Sequence, residues 1–349
     1  MTNDFLPEWL TRPIEAPDAN AESEARAHQA QLTKPAGSLG RLEQLAVTFA
    51  GYQGRSKPAL ENIIVRVFAA DHGIAARGTS AYPQEVTAQM VANFCHGGAA
   101  ISVLAKQLDA DFRAVNLGCV GPVAAHKNLV DYAIAPATAD FSQAPAMTVT
   151  QLNKALDAGF LQAQPGDLFI GGEMGIGNTT SAAALLAALF QLAPEAITGK
   201  GTGIDDATLT RKTQLIATAL GYHREHLTHP AAILQRLGGF EIAALVGAYV
   251  GSAQRGVPVL VDGFISTAAA AVAVALQPTL APWLVYGHLS NEAGHKLALE
   301  QLGATPLLAL DMRLGEGSGA ALAAGVIQQA LALHSQMATF ADAGVSHAD

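Results

Sequence analysis

Charge is what this sequence has least of. Only 14% of its 349 residues are Asp, Glu, Lys or Arg, against roughly 25% in an ordinary soluble protein. The formal net charge is -9 and no basic cluster occurs anywhere, which argues against a nucleic-acid backbone as partner. A small anion is not excluded, because one phosphate can be held by backbone N–H groups and a single Lys or Arg. Cysteine is nearly absent: Cys95 and Cys119 are far apart in apolar surroundings, so both read as reduced core residues. Neither is read as having a polar partner that would activate it, and no Gly-x-Ser-x-Gly is present, so nucleophilic catalysis has little support. Long apolar runs are missing too. The longest, 268–276 and 182–189, fall short of the roughly 18 to 20 residues that a membrane span needs. The opening Met-Thr-Asn-Asp-Phe lacks the basic-then-apolar pattern of a signal peptide, so a cytoplasmic protein is expected. There is no internal repeat and no long linker.

What is present is a core-building chain. Half of its residues are hydrophobic, and the length allows one full core or a large domain with a smaller lobe. Abundant Ala and Gly predict close helix packing. Short apolar runs at 62–70, 112–117, 167–170, 258–262, 283–286 and 307–310 read as strands, and 122–145 has no clear period beyond room for one irregular strand. Between them lie helical stretches, including 19–32, 39–53 with Ser38 as its cap, 84–94, 99–108, 151–161, 205–219, 231–237, 241–254 and 265–275. Alternation of this kind means crossover connections and an open, mostly parallel α/β sheet flanked by helices. Strand after strand ends in glycine plus polar residues, and parallel order puts all those ends on one edge. The sequence therefore predicts one composite cleft. The expected division is 1–60 as an N-terminal arm and helices, 61–315 as the large α/β domain, and 316–349 as a C-terminal helix joining the arm in a small helical lobe.

Two glycine turns stand out. Gly171-Gly-Glu-Met-Gly-Ile-Gly-Asn-Thr-Thr-Ser181 follows a strand and leads into an Ala/Leu helix. Gly175 and Gly177 let the backbone approach a ligand, while Asn178, Thr179 and Thr180 can donate where a helix begins. It is neither a Walker A loop nor a dinucleotide fingerprint, and a plain tight turn competes with the phosphate reading. The second is Leu307-Leu-Ala-Leu-Asp-Met-Arg-Leu-Gly-Glu-Gly-Ser-Gly319, read as a strand, a turn and the start of a long helix. Glu316 is its only acid between turn and apolar helix, so it is a candidate for chemistry. The competing reading is a first-turn carboxylate that favours a helix start. Asp71-His72, at the end of a central strand, reads as a site pair. His288, Glu292 and His295 invite a metal, but no Cys cluster or His-x-x-x-His accompanies them, and ordinary hydrogen bonding accounts for the histidines.

Seven motifs, in order, carry a resemblance across about residues 30–335: Lys34-Pro-x-Gly-Ser-Leu-Gly-Arg-Leu-Glu43, Ala70-Asp-His-Gly73, Tyr82-Pro-x-Glu-Val-Thr-x-Gln-Met90, Gly171-Gly-Glu-Met-Gly-Ile-Gly-Asn-Thr-Thr180, Asp262-Gly-Phe264, His288-x-Ser-x-Glu-x-Gly-His295 and Asp311-Met-Arg-Leu-Gly-Glu-Gly-Ser-Gly319. Together they resemble the nicotinate-nucleotide–dimethylbenzimidazole phosphoribosyltransferases. The resemblance implies a Rossmann-like α/β domain, a homodimer, no cofactor and no metal. It implies transfer of the phosphoribosyl group of nicotinate mononucleotide to 5,6-dimethylbenzimidazole, giving α-ribazole 5'-phosphate and nicotinate for the nucleotide loop of cobalamin. Glu316 matches the family's general base. Ser80 and Gln89 match the benzimidazole pocket. Gly175, Gly177, Asn178, Thr179, Thr180, Lys212 and Arg313 match the phosphate side, with Glu173, Ser290 and Asn291 as further contacts. One tension accompanies the match: a helix dipole would lower the pKa of Glu316, whereas desolvation would raise it. Two other classes compete with the transferase: a P-loop-like small-molecule kinase, which the missing Gly-Lys-Ser/Thr disfavours, and a non-catalytic ligand-binding protein with this fold.

Overall fold

The computed structural model describes residues 6–201 and 203–346. Six strands, β1 (Ile63–Ala70), β2 (Asp111–Gly118), β3 (Leu129–Asp131), β4 (Leu168–Met174), β5 (Val259–Val261) and β6 (Leu284–Tyr286), form one sheet in the order β3-β2-β1-β4-β5-β6. Every neighbouring pair is parallel. The strand order reverses direction between β1 and β4, the place where open α/β sheets bind their ligands. β1 is buried along its whole length, as expected of a central strand with helices on both faces.

The helices are α1 (Ala19–Gln29), α2 (Arg41–Gln53), α3 (Glu85–His96), α4 (Ala100–Gln107), α5 (Val149–Gln162), α6 (Asn178–Phe190), α7 (Pro194–Ile197), α8 (Asp206–His223), α9 (Pro230–Leu237), α10 (Phe240–Ala253), α11 (Phe264–Leu276), α12 (His295–Gln301), α13 (Ser318–Gln336) and α14 (Phe340–Ala343). Local chemistry sets several starts. Thr148 and Gln151 form a reciprocal capping box on α5, and Asp18 accepts from Asn20 and Ala21 at the head of α1. The Ala/Gly bias is used where α5 crosses α10: a Cβ on Gly159 would lie 1.8 Å from the Ala244 carbonyl oxygen, and one on Gly247 2.1 Å from that of Leu156. Only glycine permits so close an approach.

Both chain ends meet beside the sheet. His28 bonds the His334 carbonyl at 2.9 Å, Gln29 bonds the His334 ring at 2.7 Å, and Leu32 bridges Thr339. Phe49 of α2 and Ile327 of α13 belong to the same hydrophobic core as the sheet. Lys34, whose place the turn residues around it do not explain, pairs with Glu43 at 2.8 Å and so closes the exposed 35–40 loop.

Four expectations need correction. Residues 307–310 form no strand of the sheet; Leu307 and Leu308 donate to the Tyr286 and Gly287 carbonyls (2.9 and 3.0 Å), and Leu308 makes one bridge to His288, just beyond the end of β6. The sixth strand is instead β3, inside the irregular region. Ser38 does not cap α2, which starts after Gly40 at a positive φ (56°) with no side-chain cap. β4 continues through Gly171 and Gly172 to Met174, because these glycines leave room for Leu245 and Tyr249 on one side and for the Glu316 carbonyl on the other. Glu316 precedes α13 rather than opening it: the helix begins at Ser318, and Glu316 itself is left-handed (φ 67°).

Candidate active site

The glycine loop crosses the switch point. A Cβ on Gly175 would stand 2.2 Å from the Ala70 carbonyl oxygen at the end of β1, and Gly177 adopts φ 101° to start α6. The loop is tied down between them: the Ile176 N–H donates to Thr87 Oγ1 (3.2 Å), and that hydroxyl donates to Asp71 Oδ1 (2.6 Å). Lys212 reaches the same helix start from α8. Its ammonium donates to Thr179 Oγ1 (2.9 Å) and to the Gly199 carbonyl (3.1 Å). The residue is 1% exposed, and burial pulls its pKa down to about 8 against the opposing charge of Glu292. Glu292 also accepts from the Gly201 N–H at 3.0 Å, so Gly199 and Gly201 are both held beside Lys212; Thr202 lies outside the described residues. Thr180 Oγ1 is buried without a hydrogen-bond partner among the described residues. A helix N-terminus, hydroxyls and one desolvated ammonium make an arrangement suited to a phosphate.

A second turn lies over the ends of β4 and β5. Gly172 carries no side chain where the Glu316 carbonyl packs; a Cβ there would fall 1.9 Å from that oxygen. The Glu316 N–H bonds the Glu173 carboxyl, which also accepts from the Asn178 side chain. Asp262, one residue past β5, accepts from the Gly317 N–H (3.2 Å) and the Ala320 N–H (2.8 Å). The Glu316 carboxylate points away from its own helix and accepts from Ile101 N–H, in the first turn of α4, at 3.4 Å. Burial raises the Glu316 pKa; the Ile101 bond opposes the rise and the Asp262 charge adds to it. Desolvation therefore outweighs the helix-end effect, which comes from α4 and through one long bond. Glu173 is pushed well above the usual carboxylate range by burial, with Asp262 and Glu241 adding to the effect.

These two turns meet at Glu173, and the chain that builds them is similar along its whole length to known proteins. A phosphoribosyltransferase family model matches residues 14–345. The nicotinate-nucleotide–dimethylbenzimidazole phosphoribosyltransferase of Xanthomonas oryzae pv. oryzae is 53% identical over 100% of both chains. That of Pseudomonas putida is 51% identical over 97% of this chain and 98% of its own. The crystal structure of the Thermus thermophilus enzyme of the same name superposes with a TM-score of 0.89 at 44% identity, covering 95% of this chain and 100% of that one. The chain belongs to the nicotinate-nucleotide–dimethylbenzimidazole phosphoribosyltransferase family. It is an α/β phosphoribosyltransferase.

The other residues that the family resemblance singles out are placed unevenly. Ser290 is buried, its hydroxyl accepting from the Glu292 N–H at 3.3 Å, while Asn291 is exposed and its N–H bonds the Met312 carbonyl (2.8 Å). Arg313 is exposed, and its guanidinium has no hydrogen-bond or ion-pair partner among the described residues. Ser80 is half-buried in the loop before α3, accepting from the Tyr82 N–H at 3.2 Å, and Gln89 is exposed on α3.

Asp71 and His72, read as a site pair, have no exposed surface. Asp71 ties Thr87 to Val120, whose N–H it accepts at 2.9 Å, and His72 Nε2 bonds Glu241 at 2.6 Å. Both therefore brace the cleft walls. His295 accepts the Ser290 N–H at Nδ1 (2.8 Å), which leaves Nε2–H to donate to Thr267 (2.9 Å). Burial lowers its pKa to about 3, so it is a neutral brace. Cys119 is half-buried and, contrary to expectation, has a polar neighbour: its thiol lies 3.4 Å from Asn116 Oδ1, and burial pushes its pKa up to about 12. Sequence reasoning missed Thr87, Glu241 and the Ile101 amide. Thr87 lies inside the Tyr82–Met90 motif, but only the fold reveals that it spans two walls.

Proposed function

We propose that the chain transfers the 5-phosphoribosyl group of nicotinate mononucleotide to 5,6-dimethylbenzimidazole, giving α-ribazole 5'-phosphate and nicotinate for the nucleotide loop of cobalamin. The observation that carries the mechanism is Glu316: a buried carboxylate with a raised pKa, on a turn fixed from two strands. A base tuned upward is a better proton acceptor near neutral pH. In the transfer, one benzimidazole nitrogen attacks the ribose carbon on the face opposite the departing nicotinate, so β configuration becomes α. The electrons of the broken C–N bond settle on the pyridinium nitrogen and cancel its charge, and the leaving ring needs no proton. Glu316 takes the N–H proton that attack makes acidic. Lys212, with Gly175, Gly177, Asn178, Thr179 and Thr180, holds the nucleotide phosphate; Glu173, Ser290, Asn291 and Arg313 complete that side, and Ser80 and Gln89 border the benzimidazole. Fixing both rings about the ribose supplies much of the rate.

The same reading includes a cytoplasmic homodimer with small-molecule partners, a large domain at 61–315, and a small lobe built from 1–60 and 316–349. Among the described residues no helix is long and apolar enough to cross a membrane. The deciding assay mixes both substrates with the protein in EDTA and follows nicotinate. Release that requires the benzimidazole and matches α-ribazole 5'-phosphate one for one is expected. Benzimidazole binding without release would leave only a binding protein, and magnesium-dependent hydrolysis of a nucleoside triphosphate would point to a kinase-like enzyme instead.

A further inference from the structure

We infer that Asp262 is a positioning residue for this transfer, clamping the 315–317 turn so that Glu316 keeps its left-handed backbone and its carboxylate stays against the Ile101 amide. The inference rests on Glu316 being the base. A residue with a Cβ adopts positive φ only where its surroundings impose it, and Glu316 stands at φ 67° between Gly315 (φ 87°) and Gly317 (φ 93°). Nothing local caps the helix that follows: Gly317 holds the N-cap position of α13 and has no side chain. Asp262 supplies that cap from just past the end of β5, taking the Gly317 N–H at 3.2 Å and the Ala320 N–H at 2.8 Å while only 1% exposed. Its two bonds straddle the turn exit and fix both the start of α13 and the residue immediately after Glu316. The groups that surround it are few: His288, whose Nε2 lies 3.5 Å away, and the carboxyls of Glu173 and Glu316, with Tyr249 on α10. Gly319 allows the His288 ring to close the remaining side; a Cβ there would lie 2.1 Å from the ring.

A double-mutant cycle separates positioning from plain stability. Asp262→Asn keeps the shape and one accepting oxygen but cannot serve both N–H groups. It is expected to lower kcat about thirtyfold with the KM for nicotinate mononucleotide within about twofold. Combined with Glu316→Gln, the same substitution is expected to cost less than about twofold more, because the base it positions is already gone. Near-parental turnover in Asp262→Asn, or an equal fractional loss in both backgrounds, overturns the inference while leaving Glu316 as base. Near-parental turnover in Glu316→Gln alone instead removes the reading beneath it. If Asp262→Asn does not fold, His288→Asn, which frees the other side of Asp262, is run through the same cycle; a smaller single loss that vanishes beside Glu316→Gln is expected, and additivity overturns the inference.

Discussion

Two helix starts in this molecule share one sequence grammar and face different tasks. Gly175-Ile-Gly177-Asn178 leads into α6, and Gly315-Glu-Gly317-Ser318 leads into α13. In both, the second glycine holds the N-cap position with a positive φ, 101° in one and 93° in the other, and without a side-chain cap. At α6 the middle residue is buried Ile176, and among the described residues no carboxylate accepts from the backbone of that start; the charge at hand is the Lys212 ammonium. At α13 the middle residue is Glu316, and Asp262 and Glu173 take the N–H groups of residues 316, 317 and 320. On the proposed function, the partial positive charge of a helix start is left to an incoming anion in one place, while the protein's own acids consume it in the other. The N-cap geometry is the same in both, but only the α13 turn also carries positive φ at the two residues before its cap, Gly315 and Glu316; that turn and the neighbours, drawn from β4, β5 and α8, decide what each start does.

Removing the acid from the α13 start is expected to have the largest effect. Glu316→Gln preserves size and fold, keeps nucleotide affinity within about twofold, and lowers kcat at least about a hundredfold. Steady-state nicotinate release with a calorimetric Kd checks both halves. Adding an acid to the α6 start comes next. Thr179→Asp would give Lys212 an internal counter-ion and make this start resemble that of α13. The KM for nicotinate mononucleotide should rise about thirtyfold, with kcat at saturation changing much less. Equal losses in both parameters would mean that the α6 start does not hold the phosphate.

Much of this contrast is legible in the residues. The parallel sheet follows from apolar runs alternating with helical stretches, and both glycine turns are visible because glycine at such positions has few other uses. The difference between them is not legible, since it depends on residues remote in sequence. Asp262 lies 55 positions before Gly317, whose N–H it takes. Thr87 serves Asp71 and Ile176 across three elements. The 307–310 run resembles a strand because four apolar residues look alike whether they pair along a sheet edge or bridge it once. The pKa of Glu316 is undecidable without knowing which helix end its carboxylate faces.

The acid-filled turn and the Lys212 loop should also titrate separately. The kcat/KM for the nucleotide should rise with pH through a Glu316 pKa set above the usual carboxylate range, since the base acts when ionised. It should fall again as pH passes about 8, where free Lys212 loses the proton that binds phosphate. Each unit beyond either limb costs about tenfold. Lys212→Met should remove the alkaline limb and leave the acid one; Glu316→Gln should do the reverse. A shared response of both limbs to one substitution would show that the two helix starts are not independent.

The smallest expected effect tests the far side of the cleft. Gln89 is exposed on α3, and Ser80 is half-buried with its hydroxyl accepting from Tyr82 N–H at 3.2 Å. Neither belongs to the acid-filled turn or to the Lys212 loop, and each is exposed enough that water replaces what a ligand would lose. Gln89→Ala and Ser80→Ala should therefore raise the KM for dimethylbenzimidazole by only about three- to tenfold, within the range of one lost neutral hydrogen bond, and leave the nucleotide KM unchanged. Competition assays with benzimidazoles lacking one or both methyl groups would locate the contact. If either variant instead shifts the nucleotide KM, α3 serves the α6 start through Thr87, and the division of the cleft into two independently built halves has to be redrawn.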